Sequence, residues 1–229
     1  MGNLYIVATP IGNLQDITLR AIEVLKTADA IACEDTRKTG MLLSRILSVD
    51  INKPRLISYY EQNELQRIPE IISALKNGLN IALVSDAGTP TVSDPGFKLV
   101  REAIKEGIKV ESIPGPSSVI TALTVSGLPT DKFLFVGYPP RKPGHRKTLF
   151  HNIASMIRII KVTIIIFEAP HKLLRTLNEM QNEFGDIGIV ICRELTKIYE
   201  EIRREKISES LIHFENTAPK GEFVILFNI

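Results

Sequence analysis

Asp86 and Asp94 bracket Gly88 and Pro90, with Pro95 next in line, in LVSDAGTPTVSDPG, residues 83–96, which follow an apolar run. If that run is a buried parallel strand, Asp86 stands at its carboxyl end, the edge where open α/β sheets take their ligands. Gly88 permits close backbone approach, and Pro90 and Pro95 restrict the loop and lower the entropic cost of ordering it around a ligand. The same residues would also make a tight turn whose aspartates cap backbone amides, and for this loop alone both readings stand open. Three further stretches share its character: ATPIGN at 8–13, CEDTRKTG at 33–40 and IPGPSS at 113–118. Neither G-x-x-x-x-G-K-[ST] nor G-x-G-x-x-G occurs, and no Lys or Arg lies between Asn80 and Phe97. Carboxylates there would repel a triphosphate or dinucleotide. They suit a cationic or neutral polar ligand that presents hydroxyl and amino groups.

Elements must bring these four loops together. Apolar, β-branched runs at Leu4–Thr9, Ala30–Glu34, Arg55–Tyr59, Asn80–Asp86 and Lys109–Pro114 predict strands of a parallel sheet, each too apolar to be an edge strand with one wet face. Helical stripes fall between them: Ile17, Ala21, Leu25 and Ala28; Ile68, Ile71, Ile72 and Leu75; Phe97, Val100 and Ile104. Pro69 suits a first helical turn and Gly78 a C-terminal stop. This alternation is the pattern of an α/β layer with right-handed crossovers, and it sends all four loops to one rim. After Gly115 a helix is expected from Ser117 or Ser118 to Gly127. Strands at Lys132–Tyr138, Val162–Glu168, Gly188–Cys192 and Glu222–Asn228 follow. Two helices lie among them, one with Phe150, Ile153, Ile157 and Ile160, the other with Leu173, Leu177, Met180 and Phe184. The expectation is an α/β chain of two domains, 1–116 with a parallel sheet and 117–229 with a mixed one, and a ligand cleft between them.

Length and composition set outer limits. The chain has 229 residues, enough to bury roughly 70% of its unfolded surface without a covalent staple. Cys33 and Cys192 end apolar runs and read as reduced, buried thiols. Four histidines and two cysteines show no zinc-type spacing, so no metal is expected. The net charge of +2 neither demands nor excludes a polyanionic partner. The start of the chain has no signal-peptide pattern, and no run approaches the roughly 20 apolar residues that cross a bilayer, so a soluble, cytoplasmic protein with no membrane partner is expected.

S-adenosylmethionine, a sulfonium that also carries ribose hydroxyls and an ammonium group, has the properties the rim requires. Eight motifs point the same way. LYIVATPIGNLQDIT, CEDTRKT, LVSDAGTPTVSDPG, IPGPSS, LPTDKFLFVGYPPRK, FEAPHK, RELTK and KGEFV, in this order between Leu4 and Val224, resemble the ribosomal RNA small subunit methyltransferase I branch of the tetrapyrrole methylase superfamily. The resemblance implies a two-domain, class III S-adenosylmethionine methyltransferase fold with the cofactor between the domains and a homodimer. It also implies 2′-O-methylation of a cytidine ribose in the decoding region of 16S rRNA; since phosphate contacts carry no base selectivity, recognition of one nucleotide calls for RNA shape or an assembled particle, the 30S subunit. Carried over by position, it assigns Pro10, Asp86, Gly88, Thr89, Pro90, Ser117, Ser118 and Phe167 to the cofactor, although Phe167 in VTIIIFEA also reads as plain core. The pattern departs at Gln62, where related sequences often have histidine, and at Phe167 and Ala169, where they often have Tyr and Ser.

Methyl transfer to a ribose hydroxyl needs alignment in a dry pocket and a base for the hydroxyl proton. Glu34 and Asp35 are the candidate bases, with Glu168 a third, and Asp35 is equally placed to cap a helix beginning at Thr36. Arg37 and Lys38 suit the phosphate beside the target ribose or are solvated surface charge. PPRKPGHRK, residues 139–147, reads as a loop that places Arg141, Lys142, Arg146 and Lys147 toward RNA; Arg193 and Lys197 in CRELTK extend the surface. Two alternatives stay open: a methyltransferase of a small tetrapyrrole-type acceptor, and a catalytically silent RNA-binding relative.

Overall fold

The computed structural model describes residues 1–47 and 54–229, which divide into two compact units, Met1–Ser117 and Ser118–Ile229. The first unit holds five parallel strands, β1 (Asn3–Val7), β2 (Ala30–Cys33), β3 (Arg55–Ser58), β4 (Ile81–Val84) and β5 (Lys109–Ile113), in the order β3-β2-β4-β1-β5. Helices α1 (Leu19–Thr27), α2 (Thr36–Ile46), α3 (Glu64–Lys76) and α4 (Phe97–Lys105) connect them. Strand alternation divides the core in two. Leu4, Ala32, Ile81 and Leu83 pack against α3 and α4, while Val7, Ile31, Ala82 and Val84 pack against α1 and α2. Both faces are covered, as a parallel sheet requires.

Three expectations need correction here. Arg55–Tyr59 and Lys109–Pro114 supply the edge strands β3 and β5. Arg55 and Lys109 are exposed and Glu111 half-buried, so charged residues face the water that an edge admits. Pro69 lies in the interior of α3, because the helix begins a full turn earlier, at Glu64. Phe97 and Ile104 are exposed; α4 buries Leu99 and Ala103 instead.

The second unit is a mixed sheet in the order β6-β7-β10-β8-β9. Its strands are β6 (Phe133–Gly137), β7 (Thr163–Glu168), β8 (Gly188–Arg193), β9 (Glu201–Lys206) and β10 (Phe223–Phe227). β6 and β7 are parallel and the remaining pairs antiparallel. α6 (Pro143–Ile157), α7 (Leu173–Phe184) and α8 (Ile207–Asn216) cover the face that carries Ile164, Ile166, Ile189, Ile191, Phe223 and Ile225. α5 (Ser118–Ser126) lies against β10 and β8, and the Arg204 guanidinium caps its last carbonyls, those of Val125 and Ser126. Ile160 falls beyond the end of α6 and is exposed.

Residues 139–147 are not a loop throughout. α6 begins at Pro143, where a proline at the first helical position needs no amide partner. Arg146 therefore falls on the helix, four residues before Phe150 and on the same buried stripe.

Candidate active site

All five strands of the first unit run in one direction, so the segments that follow them emerge on one rim. The connections leaving β1 and β4, which are neighbours, run to opposite sides: β1 leads through α1 to β2, and β4 through α4 to β5. Such a switch point opens a crevice at the carboxyl ends of the strands.

The β4 segment ties the others to itself. Thr9 and Gly88 exchange backbone hydrogen bonds of 2.9 and 3.0 Å, and the Thr9 hydroxyl donates to the Ser85 carbonyl. The Thr89 hydroxyl donates to the Pro116 carbonyl at 3.0 Å. Asp86 Oδ1 accepts from the Asp35 amide at 3.0 Å and Oδ2 from Lys38 Nζ at 2.7 Å. Four segments distant in sequence are thus one piece of structure. Gly88, at φ +80°, occupies the left-handed region, and a Cβ there would stand 3.3 Å from Ile11 Cγ2. Gly96, at φ +132°, is held more strictly, since its Cβ would lie 2.6 Å from Leu83 Cδ2. Thr91 and Ser93 also have positive φ, a strained conformation of the kind found at binding loops.

Pro10, Asp86, Gly88, Thr89, Pro90 and Ser117, proposed for the cofactor, all belong to this rim. Ser118 opens α5 in the second unit, and Phe167 lies on β7 of the same unit, its ring 4.7 Å from that of Phe135 and 5.5 Å from that of Tyr138. Thr9 went unnoticed in the sequence. It is buried and makes three of the rim's ties, but a threonine in ATPIGN carries no signal of that use.

The two candidate bases on the rim differ in kind. Asp35 caps α2: its Oδ1 accepts from the Arg37 amide at 2.8 Å, and both oxygens accept from the Arg37 guanidinium. Those bonds hold its carboxyl well below the usual range. Burial, followed by the charges of Asp86 and Asp94, pushes Glu34 up. Glu34 also borders a cavity of about 380 Å³ together with Glu61, Glu64, Asp94, Phe97 and Lys98.

Glu168, the third candidate, is buried. It shares the inward face of β7 with Ile164 and Ile166, is 2% exposed, and accepts from the Ala169 amide and the Thr176 hydroxyl. Arg146, expected to meet RNA, is 1% exposed and bound to Glu179, Thr176 and the Pro140 carbonyl. Arg193 and Lys197 are held within their own unit: Arg193 by Glu201 and the Lys220 carbonyl, Lys197 by Glu194 and Glu222. Arg141, Lys142 and Lys147 are exposed, and among the described residues none is ion-paired. Cys33 and Cys192 are buried free thiols, and burial pushes the Cys192 thiol up to about 12.

The chemistry of the rim fits S-adenosylmethionine. Lys38 and Arg37 are matched by Asp86 and Asp35, and the Thr9 and Thr89 hydroxyls spend their protons on backbone carbonyls. The Asp86 oxygens keep lone pairs beyond the bonds to Asp35 and Lys38, and a ligand bearing a sulfonium, an ammonium group and hydroxyls can use them.

The profile of the Tetrapyrrole (Corrin/Porphyrin) Methylases matches residues 3–210. The Ribosomal RNA small subunit methyltransferase I of Thermotoga maritima is 45% identical over 228 residues, covering 100% of this chain and 99% of that protein. The protein of the same name from Halalkalibacterium halodurans is 47% identical over 225 residues, covering 98% of this chain and 75% of its own length. Among solved structures, the methyltransferase CobJ superposes with a TM-score of 0.73 at 17% identity, covering 100% of this chain and 95% of its own. The uroporphyrin-III C-methyl transferase of Thermus thermophilus, complexed with S-adenyl homocysteine, gives 0.66 at 17% identity, covering 98% and 97%. The chain belongs to the tetrapyrrole (corrin/porphyrin) methylase family, in its ribosomal RNA small subunit methyltransferase I branch.

Proposed function

We propose that this protein is a cytoplasmic, homodimeric enzyme that methylates the 2′-hydroxyl of a cytidine in the decoding region of 16S rRNA, within the 30S subunit, with S-adenosylmethionine as donor. The observation that carries the cofactor reading is the set of four strand-end segments tied through Asp86, Gly88 and Thr89. The names of full-length relatives support the ribosomal substrate. Bound S-adenosylmethionine supplies an electrophilic methyl carbon on its sulfonium. The protein must hold the acceptor hydroxyl in line with that carbon and exclude water, and tied loops supply such rigidity. Pro10, Asp86, Gly88, Thr89, Pro90, Ser117, Ser118 and Phe167 would hold the donor. Glu34 would take the hydroxyl proton.

For RNA, exposure and pairing select Arg141, Lys142 and Lys147 from the basic residues of the second unit, because a cation without a carboxylate partner is free to replace counterions on phosphate. Neutralising these three is expected to lower the dependence of log affinity on log salt by about 2, near the value for three released counterions on a single strand. Binding assays at several salt concentrations measure this, and S-adenosylhomocysteine affinity should stay constant.

Two further results are expected. S-adenosylhomocysteine should raise the melting temperature, and ATP should not; equal stabilisation by both would remove the donor from the rim. Asp86→Asn should weaken S-adenosylhomocysteine binding by about 1.5–3 kcal/mol in calorimetry, the worth of hydrogen bonds to a charged group. Unchanged affinity with a lower melting temperature would leave Asp86 as a tie between loops alone. The reading as a whole is tested by offering labelled donor with 30S particles, protein-free rRNA or a tetrapyrrole. Label should enter the particles, and transfer to the tetrapyrrole alone would replace the proposal with a small-molecule reading.

A further inference from the structure

Arg146 reaches three separate parts of the second unit from its interior. Its Nε donates to Glu179 Oε2 at 2.6 Å and its Nη2 to Thr176 Oγ1 at 2.5 Å, both on α7. Nη2 also stands 3.7 Å from Glu168 Oε2, at the end of β7. Nη1 donates to the Pro140 carbonyl at 3.4 Å, in the segment between β6 and α6.

A buried ion cluster contributes little net stability, since apolar side chains of similar volume pack as well without desolvating charge. What apolar side chains would not do is donate to the Pro140 carbonyl. That bond leads to the residues of interest. Between Gly137, at φ +74°, and Pro143 lie Tyr138, Pro139, Pro140, Arg141 and Lys142. Pro139 is buried, the Tyr138 ring lies 5.5 Å from that of Phe167, and Arg141 and Lys142 project into water. The Lys142 carbonyl in turn accepts from the Arg146 amide at 3.1 Å as the first turn of α6 closes. The Lys142 bond is the helix's own and needs no arginine, so the Arg146 side chain holds the segment at Pro140.

We propose that Arg146 is a positioning residue, which fixes the segment 138–142 from inside the unit so that Arg141 and Lys142 meet an RNA backbone already ordered. This rests on the RNA reading above. Ordering before binding saves the entropy that a mobile basic loop would lose on contact with phosphate.

Two variants test it. Arg146→Lys keeps the charge but loses the fork that serves Glu179, Thr176 and Pro140 together. Arg146→Met with Glu168→Leu removes both charges, which preserves folding where a single replacement would strand the other charge. Trypsin cleaves after Arg141, whereas Pro143 protects the bond after Lys142. In both variants, cleavage after Arg141 should rise about tenfold relative to cleavage after Arg175 in α7, the change expected for the loss of a hydrogen bond to a charged group. KM for 30S particles should rise by a similar factor, with kcat and S-adenosylhomocysteine affinity within about twofold of wild type. A double variant with wild-type melting temperature, cleavage ratio and KM would overturn the proposal, leaving the cluster a structural filler. Faster cleavage after Arg141 with unchanged KM would also overturn it. Faster cleavage when even the wild-type protein fails to methylate RNA would uphold the ordering of the segment and refute the RNA reading instead.

Discussion

Glu34→Gln is expected to lower kcat by about 10²–10⁴, the range attributed to a positioned general base, with S-adenosylhomocysteine affinity nearly unchanged. Asp35, its neighbour in sequence, has both oxygens committed to Arg37 and to the start of α2, and is held strongly acidic. Glu34 is half-buried beside a cavity, and its carboxyl is pushed upward by that burial and by Asp86 and Asp94. A base works in its ionised form. The rate should therefore fall as pH drops through the raised pKa of Glu34 and level off above it. Glu34→Gln should lose this acid limb and Asp35→Asn should retain it, as kcat measured against pH will show. A Glu34→Gln enzyme within a few-fold of wild type would assign the proton to another group.

The second large effect concerns stability. Glu168→Leu should destabilise the protein by about 3–5 kcal/mol, because it sets an apolar group against the buried Arg146 at the end of β7 and leaves Glu179, itself shared with Arg175, as its one carboxylate among the described residues. The Thr176 hydroxyl and the Ala169 amide lose their acceptor at the same time. Thermal unfolding should report a midpoint lower by roughly 10 °C. Adding Arg146→Met should restore most of it, since the second change removes the stranded charge. A cost below about 1 kcal/mol for the single change would mean that Glu179, 2.6 Å from Arg146 Nε, balances the buried charge by itself.

How far the sequence discloses this molecule depends on the kind of signal each part carries. Strands β1, β2 and β4 are legible because burial on both faces leaves an unbroken apolar run, as in Ile81–Val84. The same rule misplaces β3 and β5, whose charged residues Arg55, Lys109 and Glu111 mark them as edges. β9, EIRREK, escapes altogether: it is an edge strand whose charges satisfy one another, Arg203 pairing with Glu201 and Glu205, so no apolar alternation appears. α8 was within reach, since Ile207, Leu211 and Phe214 form a helical stripe.

The candidate site follows the same logic. Glycine and proline punctuate the rim loops, so the loops are visible; the bonds that join them are not, because Thr9 meets Ser85 only after folding. Arg146 illustrates the opposite failure. Composition assigns it to a basic loop, whereas its spacing of four from Phe150 places it on a buried helical face. Charge type suggested a phosphate partner, and periodicity, the stronger signal, gave it Glu168 and Glu179 instead.

Methylation of a ribosomal ribose at this rim stands as a proposal. Its most direct test is mass-spectrometric mapping of 16S rRNA from 30S particles incubated with the purified protein and isotopically labelled S-adenosylmethionine. The expected spectrum shows label on the ribose of one cytidine in the decoding region, and none when Glu34→Gln replaces the wild type over the same interval. Label on a nucleobase, or rRNA left unlabelled by a protein that binds the donor tightly, would contradict it.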